Sequence, residues 1–467
     1  MQNKNEKYKF LLTTASAVES ICKKELEIYG IYDVKCHNGF CIVDADISFF
    51  YYSQHIKTAN RIYIILEQMQ ITSYDDFSVQ AANLFDKMAG FEREWQKKIV
   101  FKNMEEGKEK VKYRNKIESR NKIYNDKLEY EDKVDYNDKI EYEDSIHCKY
   151  QHEKNFKLDI ACKKSEFKSE KTIYAIFLKE YQRKNLTASL NSGVFIDDDI
   201  SFAGIDIFGY SLHIRGYRKF TGVSPIKETL ASALVIHSIS KDFDFILDPF
   251  CGSGTIVFEA FLFVIGAKVS QLNLDFCNSY FTYNNEYDTE AASAINSRLK
   301  KFEKLRVFIC SDIDKEMFEI SQANFKRLVN KFGLRITFEK QFTDFAVFKV
   351  KSLEIEYLFL FSYCDAYDVY YFLTKNSLLK NFVNIEKKQG LIISNLPYGK
   401  RLKDDIKQNK SLAALRRVDK DFSLCKRCYL TNMKWLNEYL KNGNFKKRKL
   451  YNGKIEVTFF QYDPDHY

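Results

Sequence analysis

One stretch constrains the fold more than any other: residues 246–260 read Ile-Leu-Asp-Pro-Phe-Cys-Gly-Ser-Gly-Thr-Ile-Val-Phe-Glu-Ala. An apolar run from Phe243 to Leu247 ends on Asp248, the chain passes Pro249 and two glycines, Gly252 and Gly254, and Thr255 opens an apolar segment to Gly266. That order predicts a strand, a tight turn and a helix. Such a turn aims the backbone N–H groups of a helix N-terminus at the carboxyl edge of a parallel sheet, where α/β domains bind ligands. The expected fold class is therefore α/β, with a Rossmann-like domain built around this turn.

Charge narrows the ligand. A phosphate-binding loop needs Gly-Lys-Ser/Thr after its glycines, and no lysine follows these before Lys268. A dinucleotide fingerprint needs a third glycine, and Asp248 would repel a pyrophosphate. S-adenosylmethionine fits better, because its α-ammonium suits Asp248 and its carboxylate suits the glycine-loop amides. The alternative is a sharp strand-to-helix turn with no ligand.

A second motif carries chemistry of its own. The strand Gly390 to Ser394 runs into Asn395-Leu396-Pro397-Tyr398, with Arg401 shortly after. The exocyclic amine of a base is a poor nucleophile because its lone pair is delocalised into the ring. The Asn395 amide oxygen and the Leu396 carbonyl can accept both amine hydrogens and localise that pair, and Tyr398 can stack on the base. No strong general base is needed when the leaving group is a sulfonium and the amine is positioned in line. A purely structural turn is the other reading.

Further acids fall at strand ends. Leu305 to Cys310 reads as a strand that ends near Asp312, placed for a ribose diol. Its distance in sequence from Asp248 makes Val269 to Lys304 an insertion, expected to be helical from Thr289. Arg335 to Lys340 reads as a third strand, and Asp344 after it is either an acceptor for an adenine amino group or a helix cap.

Before the glycine turn, Ile205 to Tyr217 reads as strand and leads into Arg215, Tyr217, Arg218 and Lys219. Cations around an aromatic suit a phosphate-and-base contact, or are simply exposed charge at a strand end. Ser224 and Pro225 supply an N-cap and first-turn proline for a helix to about Ile239. Near the C-terminus, Arg427 to Leu430 reads as a fifth strand, and Asn452-Gly453 marks a hairpin joining Lys449–Tyr451 to Ile455–Phe460. Lys447 and Arg448 stand at its entrance, as an RNA-facing edge or a solvated strand end.

In the first half, Tyr8 to Thr14, the helix-like Ala15 to Tyr29 and the Asn38-Gly39 hairpin signal read as a small α+β unit. A second region holds a strand at Ile62–Leu66, a helix at Tyr74–Phe85, a strand at Lys98–Lys102, a strand at Lys157–Cys162 and a helix at Glu166–Lys184. Between these lies a charged insertion near 104–153. Inside it, Tyr124 to Asp144 repeats a six-residue unit with three lysines against nine acids. The net charge of the whole chain is nevertheless +9, so the body outside the repeat is basic and suits a polyanion partner. Of eleven cysteines, Cys425 and Cys428 form the one CxxC, too little for a metal site. Scattered thiols fit a reducing cytoplasm, and no apolar run near the N-terminus has the length of a signal or membrane segment.

Together, Leu212-His-Ile-Arg-Gly-Tyr-Arg218, Ser224 to Leu230, Leu247 to Thr255, Ser311-Asp-Ile-Asp314, Asn395 to Gly399 and Lys447 to Gly453 resemble the bacterial THUMP-domain RNA methyltransferases. They are most similar to the branch that makes N2-methylguanosine in 23S ribosomal RNA. The resemblance implies a ferredoxin-like unit over residues 1–60, a THUMP-like RNA-binding domain over 61–205, and a class I methyltransferase domain over 206–467. It further implies that Asp248, Pro249, Gly252, Gly254, Thr255, Asp312 and Asp344 line S-adenosylmethionine, and that Asn395, Leu396, Pro397 and Tyr398 meet the target base. Arg215, Tyr217, Arg218, Lys219, Arg401, Lys447 and Arg448 would face RNA. Leu396 departs from the proline commoner in the ribosomal branch, and Asn-Leu-Pro-Tyr is similar to tRNA guanine-N2 methyltransferases. The acidic repeat is foreign to the family.

Overall fold

A computed structural model of the chain describes residues 7–105, 156–184, 190–220, 225–239, 243–271, 285–386, 388–397, 405–442 and 444–464. Tyr398, Arg401, Ser224 and nearly all of the charged insertion lie outside the described residues. Contacts divide the chain into two compact units: Met1–Ile65 with Asp206–Leu272 and Asn284–Tyr467, and Leu66–Ile205 with Asn273–Tyr283.

The first unit is organised by a nine-stranded sheet. Its centre is parallel: β8 (Phe245–Asp248) lies between β9 (Val307–Asp312) and β13 (Gly390–Asn395), β12 (Ile355–Tyr363) lies outside β9, and β14 (Lys426–Thr431) lies outside β13. The sequence order therefore reverses direction at β8, and the crevice over its carboxyl end is where an open α/β sheet holds a ligand. Antiparallel hairpins close both edges, β10 (Arg335–Gln341) with β11 (Phe345–Ser352) beyond β12, and β15 (Lys446–Asn452) with β16 (Ile455–Tyr462) beyond β14.

The central strands are short apolar runs because both their faces are covered. Every residue of the helix Thr255–Val264 is buried, as expected of a segment apolar all round. The helix Lys315–Lys331 is amphipathic and capped by Asp314, whose carboxylate accepts from the Glu316 amide at 2.9 Å. It turns Phe325 onto Phe359 of β12, with ring centroids 4.3 Å apart, and onto Phe258, at 6.1 Å.

The N-terminal residues belong to this same unit. Here β1 (Tyr8–Thr13) is flanked by β3 (Phe40–Ala45) and by the first residues of β4 (Arg61–Gln70), all antiparallel, with β2 (Val34–His37) hairpinned onto β3 through Asn38-Gly39. The helix Glu19–Ile28 buries Ile21, Cys22, Glu25 and Leu26.

In the second unit, β5 (Phe156–Lys163) and β6 (Leu190–Asp197) are parallel, joined across the helix Glu170–Arg183, and β7 (Ile200–Asp206) pairs antiparallel with β6. Its core is aromatic. Phe156 packs on Tyr181 at 4.8 Å, and Phe85 of the helix Tyr74–Glu105 reaches Phe156 and Phe177, each at 6.1 Å.

Several expectations are corrected. Residues 98–102 continue the helix Tyr74–Glu105 instead of forming a strand; no proline interrupts it to end the helical register. The strand expected over 205–217 ends at Asp206, and the chain then bends through Gly209 and Gly216, both at positive φ. Arg335–Gln341 is no third parallel strand but the outer member of an edge hairpin; that place belongs to Ile355–Tyr363. The helix expected from Ser224 and Pro225 begins at Glu228, with Lys227 as its extended cap. The insertion helix starts at Asn285, slightly before Thr289.

Candidate active site

Three strand tips converge over β8. Asp248, its last residue, is 2% exposed, and its Oδ1 accepts from the Ser394 hydroxyl at 2.6 Å and from the Phe250 amide at 3.1 Å. Burial pushes this carboxyl up to about 7, against the lowering effect of those two hydrogen bonds, and nearby Asp312 adds to the rise. A buried acid in that state gains most from a cationic partner.

The turn after Asp248 is fixed by its glycines. Gly252 (φ +52°) donates its amide to Asp312 Oδ2 at 2.8 Å, and a Cβ built there would meet nothing within 4 Å. The space over Gly252 is open. Gly254 (φ +86°) caps the helix Thr255–Val264, and a Cβ there would lie 2.5 Å from the Phe258 ring. Asp312 Oδ1 accepts from the Asp314 amide at 3.0 Å, so one carboxylate ties the tip of β9 to the turn after β8. Thr255 is buried, with Ser253 Oγ 3.2 Å from its hydroxyl, and Pro249 leads from Asp248 into the turn.

Asp344 is exposed, yet it belongs to the same edge: its carbonyl accepts from the Tyr363 amide at the tip of β12. Sequence reading missed its neighbour Asp365, two residues past the true third parallel strand, which accepts from the Tyr367 amide at 2.9 Å. Burial, with the negative charges of Asp368, Asp365 and Asp344 adding to it, pushes the Cys364 thiol up to about 12. The signal was in the sequence, as the apolar run Tyr357–Phe361 followed closely by Cys-Asp-Ala. Ser394, the hydroxyl that holds Asp248, was also missed.

On the other side of β8, Asn395 ends β13. Its Oδ1 is buried and has no hydrogen-bond partner among the described residues. An orphaned buried acceptor is costly and rare. The backbone behind it is fixed, since the Leu396 amide donates to the Leu430 carbonyl at 2.9 Å and the Leu396 side chain is buried in the core, with Pro397 half-buried beside it. This edge therefore presents a buried acid, an open glycine turn and an unsatisfied amide oxygen, enough to hold a zwitterionic ligand and to orient an amine.

The side chains expected to face RNA divide. Arg215 and Tyr217 are buried. Arg215 Nη2 donates to the Lys57 carbonyl at 2.7 Å and lies 3.5 Å from Glu259, while the Tyr217 hydroxyl donates to Glu259 at 2.9 Å. Arg218 is half-buried, donating to the Ile226 carbonyl at 2.7 Å and pairing with Glu228 at 3.2 Å. These residues hold the structure because each cation meets a buried acceptor, which composition alone does not reveal. Arg448 is likewise engaged, with the Ala17 carbonyl at 2.9 Å and Ser20 Oγ at 2.5 Å. Lys219 and Lys447 are exposed. Among the described residues no group of acids, histidines or cysteines could hold a metal ion, and no helix is long and apolar enough to cross a membrane.

Residues 215–353 match the family described as UPF0020, the RMKL-like methyltransferase domain. Among individual proteins, the chain is 30% identical over 268 residues to "Putative RNA methyltransferase YpsC" of Bacillus subtilis (strain 168), a match covering 56% of this chain and 58% of that protein. The chain thus spans well under two thirds of that relative. Two solved structures share the fold over 98% of the chain: SMU.472, "a putative methyltransferase complexed with SAH" (TM-score 0.59, 19% identity, 98% of that chain), and a "predicted N6-adenine-specific DNA methylase" of Listeria monocytogenes str. 4b F2365 (TM-score 0.59, 20% identity, 96% of that chain). The mixed α/β fold is that of methyltransferases.

Proposed function

We propose that this protein is an S-adenosylmethionine-dependent RNA methyltransferase that methylates the exocyclic N2 amine of a guanine in 23S ribosomal RNA. The observation that carries the reading is the buried Asn395 Oδ1, without a hydrogen-bond partner among the described residues, beside the Asp248 carboxyl and the open glycine turn. The RNA methyltransferase name of the Bacillus relative and the SAH in SMU.472 support it.

The residues fit the cofactor. Asp248 would take its ammonium, the amides near Gly252 and Gly254 its carboxylate, Asp312 its ribose, and Asp344 or Asp365 its adenine. When bound, the cofactor supplies a methyl group on a positively charged sulfur. Asn395 accepts one hydrogen of the target amine, and the Leu396 carbonyl, on a residue whose own amide is anchored to the Leu430 carbonyl of β14, accepts the other. With both amine hydrogens accepted by Asn395 and Leu396, the lone pair of the amine would be localised and aimed at the methyl group that the cofactor would supply. Tyr398 stacks on the base. The unit formed mainly by residues 66–205 is assigned to RNA holding, as the THUMP-like reading implies, with Lys219 and Lys447 as exposed phosphate contacts.

The test incubates purified protein with labelled S-adenosylmethionine and, separately, unmodified ribosomal RNA, tRNA and DNA, followed by digestion to nucleosides. N2-methylguanosine from ribosomal RNA is the expected product. The same nucleoside from tRNA would move the substrate, which the Asn-Leu-Pro-Tyr form makes the nearest competitor. N6-methyladenine from DNA, the activity in the name of the Listeria protein, would overturn the base and the nucleic acid together, and no transfer to any of them would leave a non-catalytic RNA-binding protein.

A further inference from the structure

The β2–β3 hairpin carries a feature that methyl transfer does not use. Cys36 and Cys41 stand directly opposite each other across it, with their sulfurs 3.6 Å apart. The two-residue Asn38-Gly39 turn makes the adjoining His37 and Phe40 a hydrogen-bonded pair, so strict alternation makes Cys36 and Cys41 the next, non-hydrogen-bonded pair. In such pairs the Cα atoms are about 4.5 Å apart, within the span a disulfide bridges. Both sulfurs also point at one acceptor, the Glu19 carbonyl, at 3.5 and 3.3 Å, so the helix Glu19–Ile28 holds them on the same face.

The two thiols are unequal. Cys36 is exposed and Cys41 is fully buried; among the described cysteines, Cys36 alone is exposed. A hydrogen bond from Cys41 lowers the Cys36 thiol to about 7, with Lys23 helping and burial, Glu19 and Glu27 opposing. The Cys41 thiol is raised by its bonds to Cys22 and Cys36 and by burial. One partner is an accessible nucleophile, the other a protected donor.

We propose that Cys36 and Cys41 form a peroxide-oxidisable dithiol that closes to a disulfide across the hairpin. The Cys36 thiolate attacks a hydroperoxide oxygen, the O–O bond breaks, and Cys36 becomes a sulfenic acid while hydroxide, or an alkoxide, leaves. The Cys41 sulfur then attacks the Cys36 sulfur, the S–O bond breaks, and the Cys41 proton departs with the oxygen as water. With hydrogen peroxide the two thiols lose two electrons and two protons, and two waters form. The step order follows from access, since only Cys36 meets solvent.

The test uses the full-length reduced protein, treated under native conditions with hydrogen peroxide, blocked with N-ethylmaleimide and digested with trypsin without reductant. No lysine or arginine lies between the two cysteines, so both remain on one tryptic peptide. The expected result is that this peptide loses two hydrogens and takes up no maleimide, while the buried Cys22, Cys251, Cys310, Cys425 and Cys428 stay unoxidised. In Cys41→Ser, Cys36 should accumulate as a sulfenic acid trapped by dimedone; Cys36→Ser, altered at an exposed position, should leave Cys41 reduced. Direct passage of wild-type Cys36 to sulfinic acid, a Cys22–Cys41 disulfide, or equal dimedone labelling of wild type and Cys41→Ser would each overturn the proposal.

Discussion

Two groups of buried polar side chains in the first unit use the same chemistry to opposite ends. In one, Glu25 accepts from the Lys57 amide (2.8 Å), the Thr58 amide (3.0 Å), the Thr58 hydroxyl (2.6 Å) and the Tyr29 hydroxyl (3.2 Å). Nearby, Glu259 accepts from Tyr217 and Ser232 and faces Arg215. Those carboxylates are consumed by the protein. At the tips of β8 and β13, by contrast, Asp248 is left with a carboxyl pushed up to about 7 and Asn395 with an acceptor that nothing described satisfies. In the structural cluster the carboxylate oxygens are satisfied by the protein itself, whereas at the strand tips an acid and an amide oxygen are left with capacity for a ligand.

The sharpest way to break this contrast is at Asp248. Asp248→Ala should cost methyl transfer on the order of 100-fold or more, through lost cofactor binding, while thermal unfolding changes little or improves. Titration calorimetry and melting curves read both. The pH dependence sharpens the same point. Because the folded carboxyl lies above its ordinary 3.8, the folded state keeps its proton more tightly, so the contribution to stability is full below about 4 and falls as pH rises to about 7. Cofactor affinity should run the other way, rising through about 7 as the carboxylate forms to meet the ammonium. Denaturant unfolding and calorimetry across that range check the two slopes, and Asp248→Asn should flatten both.

At the structural cluster the expected losses are of stability. Glu259→Ala strands Arg215, Tyr217 and Ser232 inside the protein and should cost roughly 3–5 kcal/mol in urea unfolding. Within the turn, Gly254→Ala must bear a left-handed backbone and overlap with Phe258, about 2–4 kcal/mol together. Gly252→Ala has open space and should cost only about 1–2 kcal/mol, but it should weaken cofactor binding out of proportion. Smallest of all, Lys447→Ala should leave stability within about 0.5 kcal/mol and reduce the salt slope of RNA binding by about 1.

The sequence revealed the strand–turn–helix at Asp248 and the Asn395 strand tip because each is local: apolar runs end on a polar residue and a turn. The placement of Asp312 at the end of β9 was legible for the same reason. What escaped was set by partners distant in sequence. Arg215 and Tyr217 look like a basic-aromatic surface patch until Glu259 and the Lys57 carbonyl are brought to them. The edge hairpin of β10 and β11 hid the true third parallel strand, because an exposed antiparallel strand and a buried parallel one both read as short runs with apolar residues. Asp365 was lost with it.

The most direct test of the central claim is a pair of measurements on one preparation of Asn395→Ala: S-adenosylmethionine binding by calorimetry, and methyl transfer to ribosomal RNA. With Asp248 holding the cofactor and Asn395 holding the amine, binding should match wild type while transfer is lost. Loss of cofactor binding, or transfer at the wild-type rate, would contradict that division of the site.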